Sequence, residues 1–353
     1  MIACKSWMIR EVPYDHQNTK DTPMKEILNY LFAYKTLSKE MAYDVLLNLS
    51  KGTYNESEMA AFMTVFLMRS ITVAELSGFR EALLDLCIRV DLNGQQTLDI
   101  VGTGGDGKNT FNISTASCFV CAGAGVKVSK HGNYGVSSIS GASNVMETLG
   151  YHFKQDDKKL QEEVEKAGIC FLHAPLFHPA LKIVGAIRKQ LGVRTFFNVM
   201  GPLVNPAFPH AQMIGVYSLE IARAYNYLFQ QTDKRFTLVH AMDGYDEISL
   251  TGDTRVIDNK GERNCSPETL GKRMVHPEDI YGGATIEAAS KLFVRIIKGE
   301  GTWAQSAVIL ANAATAIQCA GLYENYEDCY QAAVTSLESG RAFEVFKTLM
   351  QLQ

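Results

Sequence analysis

No apolar run in the chain reaches the roughly 18 residues that suggest a membrane span, so no transmembrane helix is expected. Positive charge is not in excess either: 34 Lys and Arg stand against 38 Asp and Glu, a net charge of −4. A broad nucleic-acid-binding face is therefore not expected, although a local basic pocket stays open. The cysteines at positions 4, 87, 118, 121, 170, 265, 319 and 329 show no paired framework and read as reduced thiols. Internal repeats and low-complexity segments are lacking. The opening stretch, MIACKSWMIREVPYDHQ, has no unbroken apolar core of the kind a secretory signal needs. The expectation is a soluble, cytoplasmic protein.

What is present suits a folded globule. Hydrophobic residues make up 46% and charged residues 20% of 353 positions, enough for one large α/β domain or two domains. Residues 1–23 show no period and read as a loose extension. From Met24 the pattern is helical: Ile27, Leu28, Leu31 and Phe32 recur at helical spacing, then Ala42, Val45, Leu46 and Leu49. Asn55–Arg69 and Val73–Cys87 supply a third and a fourth helix, with Met59, Met63 and Met68 read as core. After Gln96 short apolar runs (Thr97–Val101, Val126–Ser129, Ile169–His173, Arg235–His240) alternate with helical stretches, which argues for a largely parallel sheet covered by helices. Residues 179–192, 304–322 and 326–352 read helical, and 198–209 as a Pro- and Gly-punctuated loop.

The segment DIVGTGGDGKNTFNIST (99–115) carries the most chemistry. Gly102, Gly104 and Gly107 satisfy the dinucleotide spacing G-x-G-x-x-G. That fingerprint requires the helix to begin at the turn and an acid to end the next strand. Here the helix begins near Asn112 and the next strand ends in Lys130-His131. Gly107-Lys108 also imitates a phosphate-cradling P-loop, but Asn109 stands where its Ser or Thr should be. A third use fits better. Glycines let the backbone approach a diphosphate, Asn112-Ile113-Ser114-Thr115 caps a helix whose N-terminus favours anions, and Asp106 can accept from sugar hydroxyls.

The segment VSKHGNYGVSSISGASNVMETLG (128–150) repeats that logic: a strand ending in Lys130-His131-Gly132-Asn133, a Ser/Gly stretch, then a helix. Two helix N-termini and two cationic side chains would thus meet at one end of the sheet, a site for a ligand with more than one phosphate. Cys118-x-x-Cys121 lies on a helix with no second pair nearby and reads as packing. His173 and His178 flank Pro175 as structural or channel-lining residues, and Asp156-Asp157-Lys158-Lys159 reads as a solvated face or turn.

Together these residues resemble the anthranilate phosphoribosyltransferase family of tryptophan biosynthesis, from about Met24 onward. The motifs that carry the resemblance are Gly102-Thr103-Gly104-Gly105-Asp106, Asn112 to Thr115, Lys130 to Asn133, Arg188-Lys189-Gln190-Leu191-Gly192 with Arg194-Thr195, Gly201-Pro202-Leu203 with Asn205-Pro206, and Asp246-Glu247. It implies a small all-helical domain (24–95 with part of 188–212) and a larger α/β domain (96–187 and 213–353) with a central, mostly parallel sheet flanked by helices. It also implies a homodimer through the helical domain, for which Ile27, Leu31 and Phe32 are candidates, although packing within the domain explains each as well.

The implied reaction is Mg²⁺-dependent transfer of phosphoribosyl from phosphoribosyl pyrophosphate to the amine of anthranilate. By motif, Gly102, Gly105, Asp106, Thr110, Asn112, Ile113, Ser114, Thr115, Lys130, His131, Gly132, Asn133, Tyr134, Gly135, Val136, Ser137, Ser138 and Ala142 would contact the phosphoribosyl donor. Gly102, Asn133 and Arg188 would contact anthranilate, and Ser114, Asp246 and Glu247 the metal. No catalytic nucleophile or base is assigned. Tyr134, Ile139 and Ala142 depart from the family pattern, which has Arg, Lys and Ser there, and altered donor affinity is expected. Two other readings stay open: a pyrimidine nucleoside phosphorylase of the same fold, and a catalytically silent relative that binds nucleic acid.

Overall fold

Helices α1 (Met24–Phe32), α2 (Lys39–Ser50), α3 (Glu56–Met68) and α4 (Val73–Leu86) form a helical layer. Their starts are written locally: Ser38 accepts from the Met41 N–H, and Asn55/Glu58 and Thr72/Glu75 form capping boxes. Gly78 lets α4 close on α2, since a Cβ there would stand 2.8 Å from the Ala42 Cβ. Ile27 and Leu31 are 0% and 3% exposed and pack within this layer, which removes them as dimer candidates, while Phe32 remains 54% exposed. Met59 and Met63 are core, but Met68, at the end of α3, is 83% exposed and is not. The structure, a computed structural model, describes residues 22–135 and 139–353; Cys4, nearly all of the expected extension, Val136, Ser137 and Ser138 lie outside the described residues.

The sheet comprises β1 (Leu98–Gly102), β2 (Val128–Gly132), β3 (Ile169–His173), β4 (Ala211–Gly215), β5 (Arg235–Ala241), β6 (Thr254–Asp258) and β7 (Gly261–Cys265), in the order β3-β2-β1-β4-β5-β6-β7. Strands β1 to β5 run parallel; β6 and β7 form an antiparallel edge. The sequence reading missed β4, β6 and β7. The first is a five-residue run hidden behind Pro209. The hairpin TRVIDNKGERNC presents β7 to solvent and so lacks the apolar run that marks the buried strands.

The remaining helices are α5 (Ile113–Gly123), α6 (Ala142–Thr148), α7 (Asp157–Lys166), α8 (Ala174–Phe177), α9 (Pro179–Leu191), α10 (Leu219–Phe229), α11 (Ile286–Ile297), α12 (Trp303–Ala320), α13 (Tyr326–Glu338) and α14 (Arg341–Gln351). Strand alternation divides the core in two. Met213, Val239 and Val256 face α5, α12 and the C-terminal helices, whereas Ile214, Leu238 and Ile257 face α10 and the helical layer. Phe196, in a 3₁₀ turn (Phe196–Val199) after α9, joins the rings of Phe62, Phe66 and Phe79, stacking on Phe79 at 4.7 Å between centroids. Each buried Phe contributes about 1.5–3 kcal/mol, so the segment that carries Arg188 is anchored to the helical layer. No helix among the described residues is long and apolar enough to cross a membrane.

Candidate active site

The strand order places a crevice between β1 and β4. To one side of β1 lie β2 and β3, to the other β4 and β5, so the connections diverge there and leave a gap beyond the carboxyl ends. Gly102 and Gly215 are register partners at that end, and the Thr103 N–H donates to Gly215 O at 2.9 Å. The chain then turns through Gly104, Gly105 and Gly107, with φ of 62°, 76° and 74°, a region only glycine enters freely. Beyond β5, the Ala241 N–H donates to Tyr245 O at 3.0 Å, folding Asp246 and Glu247 back over the same gap. The fit is close: a Cβ on Gly102 would stand 2.5 Å from Asp246 Oδ2.

The acidic pair holds two backbone donors. Gly104 N–H donates to Asp246 Oδ2 at 2.8 Å, and Ser114 N–H, in the first turn of α5, donates to Glu247 Oε1 at 3.2 Å. This corrects the capping expectation. Asn112 makes no side-chain cap; its Nδ2 donates to Ser140 O at 3.1 Å, tying the start of α5 to the residues before α6. The Asn144 carbonyl oxygen accepts from Gly135 and Gly141, closing the second turn.

Burial raises the carboxyls of Asp246, Glu247 and Asp106 above their ordinary range. Asp246 also feels Asp106, and Glu247 feels Asp246, whereas Lys130 and the Ser114 N–H pull Glu247 the other way. Lys130 is 2% exposed and donates to Ile100 O at 2.5 Å and Ser114 Oγ at 3.3 Å. The second expected cation is not one: burial first, then His178, hold His131 well below the usual imidazole value, so it is neutral at pH 7. Its Nδ1 faces Gly201 O at 3.2 Å. Asp99, which the sequence reading passed over, accepts from the His131 N–H at 3.1 Å and fixes the end of β2.

Across the gap stands Arg188. Its Nη2 donates to Asn198 Oδ1 at 3.3 Å and its guanidinium lies 5.6 Å over Phe197, while burial lowers its pKa. Every candidate site residue among those described lines one cavity of about 260 Å³. So do Phe197 and Asn198, which carried no motif signal of their own, and Lys108, which entered only through the P-loop spacing that Asn109 breaks. A larger cavity, about 550 Å³, opens at the N-terminal end of β5. Its cations are engaged, Arg263 with Asp258 at 2.5 Å and Arg235 with the Cys319 and Gln318 carbonyls, and it lacks the glycine turn.

Of the departures, Tyr134 directs its hydroxyl to Glu147 at 3.3 Å, Ile139 is 43% exposed, and Ala142 opens α6 on the cavity wall. Cys118 and Cys121 are fully buried; burial pushes the Cys118 thiol up to about 12 and the Cys121 thiol well above its ordinary value, as packing requires. His173 Nδ1 meets Ser143 Oγ at 2.9 Å, and Asp156 caps α7 through the Lys159 N–H.

Among the described residues no three His, Cys, Asp or Glu side chains converge into a metal cage. The residues nonetheless fit Mg²⁺, which takes oxygen ligands and binds through one or two carboxylates plus substrate phosphates. Asp246 and Glu247 offer carboxylate oxygens there: each accepts one backbone N–H, Asp246 also meets the Asp106 carboxyl, and the Ser114 hydroxyl lines the same cavity.

Comparison with known proteins adds the chemistry. A family profile described as glycosyl transferase family, helical bundle domain, matches residues 25–87, and its a/b domain counterpart matches 94–343. The anthranilate phosphoribosyltransferases of Christiangramia forsetii and Flavobacterium johnsoniae are 54% and 55% identical over 329 residues, covering 93% of this chain and 99% of theirs. Among solved structures, the anthranilate phosphoribosyltransferase of Thermus thermophilus is 31% identical with a TM-score of 0.86, covering 92% of this chain and 98% of that one. The enzyme of Saccharomyces cerevisiae in complex with PRPP and Mg is 26% identical with a TM-score of 0.87, covering 95% and 98%.

Proposed function

The chain belongs to the anthranilate phosphoribosyltransferase family, and from that premise we propose how its crevice carries out the transfer of phosphoribosyl from phosphoribosyl pyrophosphate to the amine of anthranilate. The carrying observation is a single cavity lined by two chemically opposite sets of side chains. One holds Asp106, Asp246 and Glu247 beside the glycine turn and the start of α5; the other holds Arg188 on the helical side. A donor with a metal-bridged diphosphate suits the first set, and a planar carboxylate suits the second.

Asp246, Glu247 and the Ser114 hydroxyl would hold Mg²⁺, which offsets charge on the departing pyrophosphate when bound. The glycine turn brings backbone close to the phosphates, and the start of α5 directs N–H groups at an anion. Arg188 pairs the anthranilate carboxylate through its guanidinium fork, with Asn133 lining the same cavity, and thereby orients the amine. An aromatic amine keeps its lone pair at neutral pH, so positioning and electrostatics carry the rate, without a dedicated base. Neutral His131, Pro202 and Val204 help exclude the water that would hydrolyse the donor.

The relatives support this transferase and neither the phosphorylase nor the nucleic-acid binder. We further propose a cytoplasmic homodimer joined through the helical layer; the exposed Phe32, Leu67 and Met68 on α1 and α3 support that face. Loss of anthranilate fluorescence on adding phosphoribosyl pyrophosphate and Mg²⁺ tests the activity, and no loss with either omitted is the control. Light scattering tests the dimer.

A further inference from the structure

Lys108 belongs to the glycine turn; the P-loop spacing that would give it a phosphate role is broken by Asn109, and the resemblance gives it none. It lines the cavity that holds Asp106, Asp246 and Glu247, and it is half-buried. Its own N–H donates to Asp106 Oδ1 at 3.0 Å, which fixes the base of the side chain beside the acidic wall. Its Nζ rests 4.5 Å from the centroid of the Tyr245 ring, the residue just before Asp246. No ion pair among the described residues includes it.

The other cationic candidates in the cavity are engaged or neutral. Lys130 spends two of its donors on Ile100 O and Ser114 Oγ, His131 is neutral, and Arg188 is bonded to Asn198. A diphosphate brought against three carboxylates carries several negative charges, more than one divalent cation cancels. The ammonium on Tyr245 has a weaker partner there than a phosphate would be, because a cation–π contact at a part-exposed site is worth less than a charge-assisted hydrogen bond.

We propose that Lys108 is a further donor-binding residue, whose ammonium leaves the Tyr245 ring to pair with the diphosphate of the phosphoribosyl donor. This rests on the transferase reading above. Its place beside Asp106, Asp246 and Glu247, the residues that would hold Mg²⁺ and the donor's diphosphate, assigns it to the diphosphate end and away from the anthranilate carboxylate.

Calorimetric titration of inorganic pyrophosphate with Mg²⁺ into the full chain tests it. In Lys108→Gln the Kd for pyrophosphate should rise about tenfold, the fold-change a lost charge-assisted hydrogen bond brings. Lys108→Arg should restore most of that affinity. The dependence of Kd on NaCl should be shallower in Lys108→Gln than in the wild type, and the KM for anthranilate should stay at its wild-type value. Lys108→Met is a second neutral variant should the Gln form fold poorly. Wild-type affinity and salt dependence in the neutral variants would overturn the proposal, as would an equal loss in Lys108→Arg, which would indicate damage to the turn. A wild-type enzyme without turnover would refute the transferase reading itself, a result distinct from any of these.

Discussion

Gly104 donates its backbone N–H to Asp246 Oδ2 at 2.8 Å, joining the turn after β1 to the loop after β5. Glu247 makes the matching bond to the Ser114 N–H at 3.2 Å. The two carboxylates therefore hold the glycine turn and the start of α5 in place, and on the proposed mechanism they also present oxygens for a cation. Removing both should lower kcat sharply and leave activity insensitive to added Mg²⁺. Because two part-buried amides also lose their acceptors, the melting temperature should fall as well. Melting curves and a Mg²⁺ titration of Asp246→Ala/Glu247→Ala check this; a folded variant with normal turnover and normal Mg²⁺ dependence would refute the metal assignment.

Gly102→Ala probes the same contact without touching a charge. The new methyl would meet Asp246 Oδ2 at 2.5 Å and Cγ at 3.2 Å, so the carboxylate must shift and its bond to Gly104 must lengthen. Gly104→Ala is the comparison: nothing lies within 4 Å of its Cβ, and only the positive φ of 62° is strained, which costs about 1–2 kcal/mol. Gly102→Ala should weaken the apparent affinity for Mg²⁺ more than Gly104→Ala does at comparable melting temperature. The reverse ranking would mean that backbone strain, and not the carboxylate's position, controls the metal.

Much of this site was legible because glycine turns and cations at strand ends have strong local signatures. Gly102 to Asp106, Lys130 to Asn133 and Asp246-Glu247 stand out along the chain and meet in one cavity. What sequence could not supply were partners made by long-range folding. Asn112 is a favoured capping type, yet the α5 amide is taken by Glu247, 133 positions away from Ser114. His131 looked cationic beside Lys130, but its charge depends on burial and on His178, which only tertiary packing reveals. In the fold, β1, β2, β3 and β5 were visible as apolar runs, whereas the β6–β7 hairpin, with β7 exposed, carries charges that disguise it.

Arg188→Ala should raise the KM for anthranilate far more than that for phosphoribosyl pyrophosphate. The guanidinium lies over Phe197 and bonds to Asn198, both in the 3₁₀ turn held by the helical layer and neither bonded to the acidic pair. Loss of a charge-assisted pair costs about 1.5–3 kcal/mol, roughly 10- to 100-fold in KM. Steady-state kinetics with each substrate varied in turn decides the matter. Equal increases for both would show that Arg188 supports the junction between helical layer and sheet and does not read the acceptor.

The last prediction concerns acid stability and rests on His178. It is 1% exposed, and neither ring nitrogen has a hydrogen-bond partner among the described residues. Burial, the larger influence, holds the pKa down to about 4 from 6.5 against the opposing pull of the Val204 carbonyl. The unfolded chain protonates this imidazole below pH 6.5 while the folded protein does not until near pH 4. The depressed pKa therefore costs nothing above about pH 6.5, and stability is lost progressively as pH falls from there to about 4. At about 1.4 kcal/mol per pKa unit the loss approaches about 3 kcal/mol from this group alone. His131, centred 5.3 Å away and also held neutral, adds to it in the same direction. His178→Phe removes the titrating group, so its stability advantage over the wild type should be larger at pH 4.5 than at pH 7.5. Urea denaturation at the two pH values measures the difference. If the wild type and His178→Phe lost stability in parallel, the acid limb would belong to other groups.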